Sequence, residues 1–407
     1  MLFHQLHSYL TDRVSFSPEH LELPEIGQAL SNYTFFSESH GILANAAKII
    51  SPIHLEDLSP EDIKAGELMN AVTLVPDHEI EENKEFRHHV LSPLGAGDAQ
   101  GVIILLHGFN ERNWSKYLPW AAELVAKTQK TVILFPIAFH MNRSPALWTD
   151  SRDMRAVSQL RKKLLPNDIS STLSNAAISV RLSVNPSRFF WSGLESFMDI
   201  NLLVKRIKEG RQPGIQKGAK VDLFTYSIGT LLAEIVFMTN EESLFSDSKL
   251  VAFCGGPTFN RLSPVSKFIL DSEANVLLYS YLVEHLDSHI KNDPQLALYL
   301  ENSARPVGRN FKTMLNYKVD LEYREDKFRQ LSNKILAITL KKDEVVHPYE
   351  VVGTLNGSKR DIPIRIIDMD PPYPYRHEDP FPITLKIGEK VTETFHELFA
   401  PICEFLR

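Results

Sequence analysis

Between residues 220 and 230 the chain reads KVDLFTYSIGT, and the residue there that could do chemistry is Ser227. A short apolar strand ending at Phe224, a tight turn carrying the serine, and a helix over 227–240 opening with the small Gly229 would present the hydroxyl at the carboxyl end of a sheet. The backbone N–H of the next residue, Ile228, would be aimed at the same point. Such a turn usually carries Gly-x-Ser-x-Gly, with glycine first because strand and helix approach closely; here Thr225 stands in that place. Taken alone, a serine before a glycine between a strand and a helix is more often a helix-start residue. Its hydroxyl is a poor nucleophile at neutral pH unless an imidazole takes its proton during attack and a carboxylate holds that imidazole. The case for Ser227 therefore turns on which elements could bring it a histidine and an acid.

Those elements read as strands alternating with helices. GVIILL at 101–106 is a continuous apolar run bounded by glycine, as expected of a strand buried on both faces, and it leads directly into His107-Gly108-Phe109-Asn110. A helix follows in which Tyr117, Trp120, Ala121, Leu124 and Val125 recur at helical spacing, then a second buried strand over 131–137. Helices are expected over 152–165 and 187–210, and further strands over 250–254, 334–340 and 362–368. A helix near 348–355 and a final amphipathic helix from about 389 to 406 complete the pattern. Residues 69–75 and 86–91 read as two edge strands entering the sheet. Alternation of this kind argues for an α/β protein with a doubly wound, mostly parallel sheet, whose ligands bind beyond the carboxyl ends of the strands. The organisation expected is an N-terminal extension over 1–65 of short helices and loops, punctuated at Ser17-Pro18, Leu23-Pro24, Ser51-Pro52 and Ser59-Pro60. A sheet domain follows over 66–257 and 331–407, with a long helical connection at 138–216 and a helical insertion at 258–330. The insertion reads as a helical subdomain core that would also cap the sheet edge. The extension is expected to cover the sheet or to mediate self-association into a homo-oligomer.

Composition narrows the function classes. With 407 residues, 43% hydrophobic and 23% charged, the chain can bury a large core, and its net charge of −7 leaves no basic footprint for nucleic acid. The run Arg161-Lys162-Lys163 reads as a solvated helix face. Two cysteines, Cys254 and Cys403, imply buried thiols in a reducing compartment, with no disulfide framework. The start of the chain lacks the charge and apolar run of a signal peptide, and no stretch has the length of a membrane span, so a cytoplasmic protein is expected. Without HExxH, CxxC or a phosphate-binding glycine loop, no metal and no nucleotide cofactor is implied.

The pattern resembles the α/β-hydrolase superfamily over roughly residues 102–407. His107-Gly108 follows the first buried strand, Tyr226-Ser227-Ile228-Gly229 forms the turn, Asp343 follows a later strand and His377 follows the last one. The order Ser, Asp, His is that of the family. The resemblance implies a hydrolase with a helical cap, acting on a small-molecule acyl substrate. His377, in the proline-rich PPYPYRHEDPFP, would be the base. Asp343 is preferred over Glu344 as the acid because the family's acid usually stands in such a loop with a proline several residues later. The oxyanion donors would be the N–H groups of Phe109 and Ile228, each typically worth about 3 to 4 kcal/mol, and His107 would orient the turn. Asn110, His140 and Arg143 follow strand ends on the same edge and are candidates to line a substrate pocket. His347 competes as a base, Asp271 and Glu273 as acids, and Asp368 and Asp370 read as loop-capping residues. Acyl transfer with the same serine, and a non-catalytic binding protein that retains the fold, are the alternatives to hydrolysis.

Overall fold

Apolar runs such as GVIILL have no polar face to offer water, so they are stable as strands only where helices cover both sides of the sheet. The computed structural model, which describes residues 1–14, 16, 18–46 and 52–407, has this arrangement; the turns expected at Ser17 and Ser51 lie outside the described residues. Nine strands form one sheet: β1 (His20–Leu23), β2 (Gln28–Phe36), β3 (Glu85–Pro93), β4 (Ala99–Leu106), β5 (Thr131–Leu134), β6 (Ile215–Tyr226), β7 (Leu250–Phe253), β8 (Ile335–Leu340) and β9 (Arg365–Met369). Their spatial order is β1-β2-β3-β5-β4-β6-β7-β8-β9. The β1–β2, β2–β3 and β3–β5 pairs are antiparallel, and every pair from β5 to β9 is parallel. After β4 the chain crosses to β5 on one side and then to β6 on the other. The carboxyl ends of β4 and β6 thus flank the point where strand order reverses, where doubly wound sheets open a crevice.

Alternate side chains feed two cores. Val102, Ile104 and Leu106 of β4 pack with the helices Arg188–Glu209, Ile228–Thr239 and Pro306–Leu315 on one face. Ile103 and Leu105 pack with the helices Phe3–Arg13, Leu118–Thr128 and Gly388–Leu406 on the other. A smaller cluster joins the helices Ile63–Thr73, Ser151–Leu164 and Ala176–Val184. The segment 258–330 is helical and joins the first core, with Phe311 edge-on to Phe190 and Tyr299 edge-on to Trp191.

Several local expectations change. Residues 69–75 do not form an edge strand: the helix Ile63–Thr73 buries Ala65, Gly66, Met69, Val72 and Thr73, a 3–4 spacing that a seven-residue window is too short to reveal. The N-terminal segment supplies β1 and β2 in addition to a helix, and β2 is the true partner of β3. Polar residues hide β2 from pattern reading: buried Gln28 donates to the carbonyl of Ala122 (2.8 Å) and buried Asn32 to that of Pro18 (2.6 Å). The strand expected to reach Ile137 stops at Leu134, before Pro136, which has no N–H to donate. In the basic run, Arg161 is buried against Asp271, its Nη2 2.9 Å from Oδ1, while Lys163 pairs with Asp62 at the surface.

Candidate active site

β6 runs to Tyr226 and the next helix begins at Ile228, so the whole change of direction falls on Ser227, at φ 56° and ψ −122°. A non-glycine residue in that region costs roughly 1–3 kcal/mol and persists only where its surroundings hold it. Here the Ser227 N–H donates to the carbonyl of Phe253 (3.1 Å) and the Thr230 N–H to that of Ser227 (2.9 Å). The helix also meets β4 so closely that a Cβ on Gly229 would lie 2.7 Å from the His107 carbonyl oxygen. Thr225 fits where glycine is usual because its hydroxyl donates to the Val251 carbonyl (2.9 Å) and pairs with the Thr230 hydroxyl (2.9 Å). Thr230 in turn requires glycine at 255, where a Cβ would come within 2.2 Å of its Oγ1.

Loops after β8 and β9 bring two further groups to the serine. His377 Nε2 lies 2.8 Å from Ser227 Oγ, and its Nδ1 lies 2.8 Å from Asp343 Oδ2. A carboxylate oxygen can only accept, so Nδ1 carries the proton and Nε2 is left to accept from the serine hydroxyl. Asp343 is fixed by its other oxygen, Oδ1, which accepts the N–H groups of Val345 (2.9 Å) and Val346 (2.8 Å). The ring of His377 stacks on Tyr226, centroids 5.3 Å apart at 18°, and the Tyr226 hydroxyl donates to the His377 carbonyl. Burial pushes the Tyr226 phenol well above its ordinary range, so it remains a donor.

The turn after β4 is held as firmly. His107 accepts the Ile137 N–H at Nε2 (2.9 Å) and donates from Nδ1 to the Gly108 carbonyl (2.8 Å), so both ring nitrogens are used. Burial holds its pKa well below the ordinary histidine value. The Gly108 N–H donates to the Tyr117 hydroxyl (2.9 Å), which donates to Glu111 (2.8 Å), and Glu111 pairs with Lys116. The N–H groups of Phe109 and Ile228 have no acceptor among the described residues.

Two neighbours of Ser227 border different spaces. Its partner His377 borders an open cleft of about 1350 Å³, edged by the proline-rich segment 370–378 and by residues 263–268. Its neighbour Ile228 borders a small apolar cavity of about 50 Å³ with Phe109, Leu231, Ile235 and Phe311. A second small cavity of about 70 Å³ shares Phe109, His140 and Phe189 with the first. Residues 263–268 edge the cleft. They are tied to the β4 turn by the Asn110 amide, which donates to the Phe268 carbonyl, and to the loop of His377 by Ser266, whose hydroxyl donates to Glu378 (2.7 Å).

Of the three pocket-lining candidates, Asn110 and His140 border these cavities. Arg143 does not: its side chain is fully buried elsewhere, paired with Asp199 (2.9 Å) and with Asn83 (3.0 Å). The competing residues have other partners. His347 stands at the N-cap position of the helix Pro348–Leu355, with no capping bond from its side chain, and stacks on Tyr349; Asp271 caps the helix Ser272–Tyr279, Asp368 accepts from Thr339, and Asp370, at the edge of the cleft, pairs with Lys342. Sequence reasoning took Tyr117 for packing and gave Tyr226 and Glu378 no role; only their positions beside Gly108, Ser227 and His377 hint at their use. Among the described residues no group of three or more His, Cys, Asp or Glu could hold a metal ion, and no helix is long and apolar enough to cross a membrane.

The strand order and the turn at Ser227 are those of the α/β-hydrolase fold. Solved structures similar to this chain include carboxyl esterase 2 from the mycorrhizal fungus Tuber melanosporum, at 8% identity over 80% of this chain and 82% of that one, with a TM-score of 0.44. A thermostable esterase from Pseudomonas putida ECU1011 shares 10% identity over 91% and 98%, TM-score 0.45. A monoacylglycerol lipase from Paleococcus ferrophilus shares 15% over 76% and 95%, TM-score 0.38. A search of curated proteins finds no match. One family profile, described as "Family of unknown function (DUF6051)", matches residues 1–407, and the chain belongs to that family.

Proposed function

We propose that this protein is a serine hydrolase that cleaves a carboxylic ester, or a related thioester or amide, through an acyl-enzyme intermediate. The observation that carries the reading is the unbroken relay from Ser227 Oγ through both nitrogens of His377 to Asp343, at 2.8 Å each, on a strained turn at the sheet's carboxyl edge. Ser227 Oγ attacks the acyl carbon while His377 Nε2 takes its proton, and Asp343 stabilises the imidazolium. The developing oxyanion accepts from the N–H groups of Phe109 and Ile228, which have no other acceptor among the described residues. His377 then protonates the leaving group, and water releases the acyl chain by the same steps in reverse order of roles. Because the leaving group must meet His377, it lies toward the open cleft; the acyl part lies on the side of Phe109 and Ile228, in the inner cavities.

A fluorophosphonate probe tests this directly. Labelling of the wild type that disappears in Ser227→Ala, with unchanged circular dichroism, is the expected result. Folded wild-type protein that takes no label and turns over no chromogenic ester would instead indicate a binding role. Product that depends on the concentration of an added alcohol or amine would indicate acyl transfer.

A further inference from the structure

The inner cavities are apolar over most of their surface, and among the polar residues that border them is one that the proposed chemistry does not use. His140 is 8% exposed and lies at the junction of both cavities. Its Nδ1 is turned back to the carbonyl of Ala138, 2.8 Å away, and since that oxygen can only accept, Nδ1 carries the proton. Nε2 is then a bare acceptor on the free edge of the ring, and no protein group donates to it among the described residues. Burial holds the ring's pKa at about 4, so at neutral pH the imidazole is uncharged and Nε2 keeps its lone pair. A buried acceptor without a donor is unfavourable, so whatever fills the cavity is favoured if it brings one.

We infer that His140 is a specificity residue whose Nε2 accepts a hydrogen bond from a hydroxyl or amide N–H on the acyl part of the substrate. The inference rests on the hydrolase reading above, which sends the acyl part into these cavities. Position follows from the shared wall: the His140 ring packs against the ring of Phe109, the residue whose N–H would hold the oxyanion, and both border the same cavities, so the donor sits on the acyl part. Charge selects the type of donor. Arg112, Arg181 and Arg188 border the same space, together with Glu111, whose charge is met by Lys116. Arg181 and Arg188 share the single carboxylate of Asp77, and Arg112 has no carboxylate partner among the described residues, donating to the carbonyls of Leu173 (2.8 Å) and Ser174 (2.6 Å). That surplus of positive charge disfavours an ammonium donor and leaves neutral ones. Beyond His140 the wall is Leu231, Leu232, Ile235 and Phe311, which suits an apolar remainder.

The test compares the p-nitrophenyl esters of butanoic, 2-hydroxybutanoic and 3-hydroxybutanoic acids, with each kcat/KM divided by the ester's rate of alkaline hydrolysis. The wild type should favour at least one hydroxylated ester over butanoate by about tenfold, the scale of one neutral hydrogen bond to an otherwise unpaired group. In His140→Phe that ratio should fall to about one, and in His140→Gln, which keeps an acceptor oxygen, it should be partly retained. A wild type that labels with fluorophosphonate yet prefers neither hydroxylated ester overturns the inference and leaves the hydrolase reading standing. So does a preference that survives undiminished in His140→Phe. Absence of both labelling and turnover in folded wild type overturns the hydrolase reading and this inference with it.

Discussion

Ser227, His377 and Asp343 form one buried polar chain; Arg143, Asp199, Glu195, Asn83, His40 and Ser37 form another. In the second, Arg143 pairs with Asp199 (2.9 Å), the Asn83 amide donates to Glu195 (2.8 Å), Ser37 donates to Asp199 (2.8 Å), and His40 Nε2 lies 2.8 Å from the His78 carbonyl. None of these six borders a described cavity. Both networks hold titratable groups away from water, and both join distant parts of the sequence. What separates them is access and backbone: the Ser227 chain ends on a half-buried hydroxyl at a strained backbone position, and its middle member, His377, borders the open cleft. Burial and charge do not by themselves mark a candidate site; a polar relay that reaches a cleft makes a better candidate.

Substitutions should separate the two networks cleanly. The largest effect expected is on turnover in Ser227→Ala, a loss of about 10⁵-fold or more in ester hydrolysis with urea stability within about 1 kcal/mol of wild type. Asp343→Asn should lower kcat by roughly 10³- to 10⁴-fold, because the imidazole loses the acceptor that fixes its tautomer. Arg143→Met should do the reverse. Leaving Asp199 and Glu195 buried without their cation costs about 3–5 kcal/mol of stability, measured by urea unfolding, while kcat per folded molecule stays within about threefold. If Arg143→Met instead abolished turnover in a stable protein, the contrast would collapse.

The Arg143 network also has a pH signature. Burial, reinforced by Glu195 and opposed by Arg143, pushes Asp199 up to about 7. An unfolded aspartate releases its proton near 4, so between about pH 4 and 7 the native state holds a proton that the unfolded state has lost. This contribution is full below pH 4 and disappears as pH rises through 7. The melting temperature of wild type relative to Asp199→Asn should therefore decline across that window, and a rising difference would contradict the assignment. The smallest effect expected is at Tyr226→Phe, which keeps the ring under His377 and loses the hydroxyl holding its carbonyl. About a three- to tenfold fall in kcat at unchanged KM is the scale of one such bond.

The parallel part of the sheet was legible because burial on both faces writes itself as unbroken apolar runs, as at 101–106 and 250–253. The antiparallel wing was not: β2 places Gln28 and Asn32 in the interior and satisfies them through distant carbonyls, which no local pattern reports. The positions of Ser227, Asp343 and His377 could be named because each follows a recognisable strand. Arg143 was misjudged for the same reason, since following a strand end says nothing about which way a long side chain turns. Thr225 departs from the usual glycine of the turn, yet its acceptance depends on Thr230 at the end of the same stretch and on Val251 and Gly255 outside it.

Within the segment 263–270, Phe268 is fastened to Asn110, beside Phe109, and Ser266, two residues away, to Glu378, beside His377. On the hydrolase reading proposed above, raising this segment to admit a bulkier guest would pull at once on the turn of Phe109 and the loop of His377, slackening both together. Enlarging the entrance by loosening this bridge would thus trade breadth of substrate for rate, whereas enlarging it by trimming side chains along the cleft would leave both anchors undisturbed.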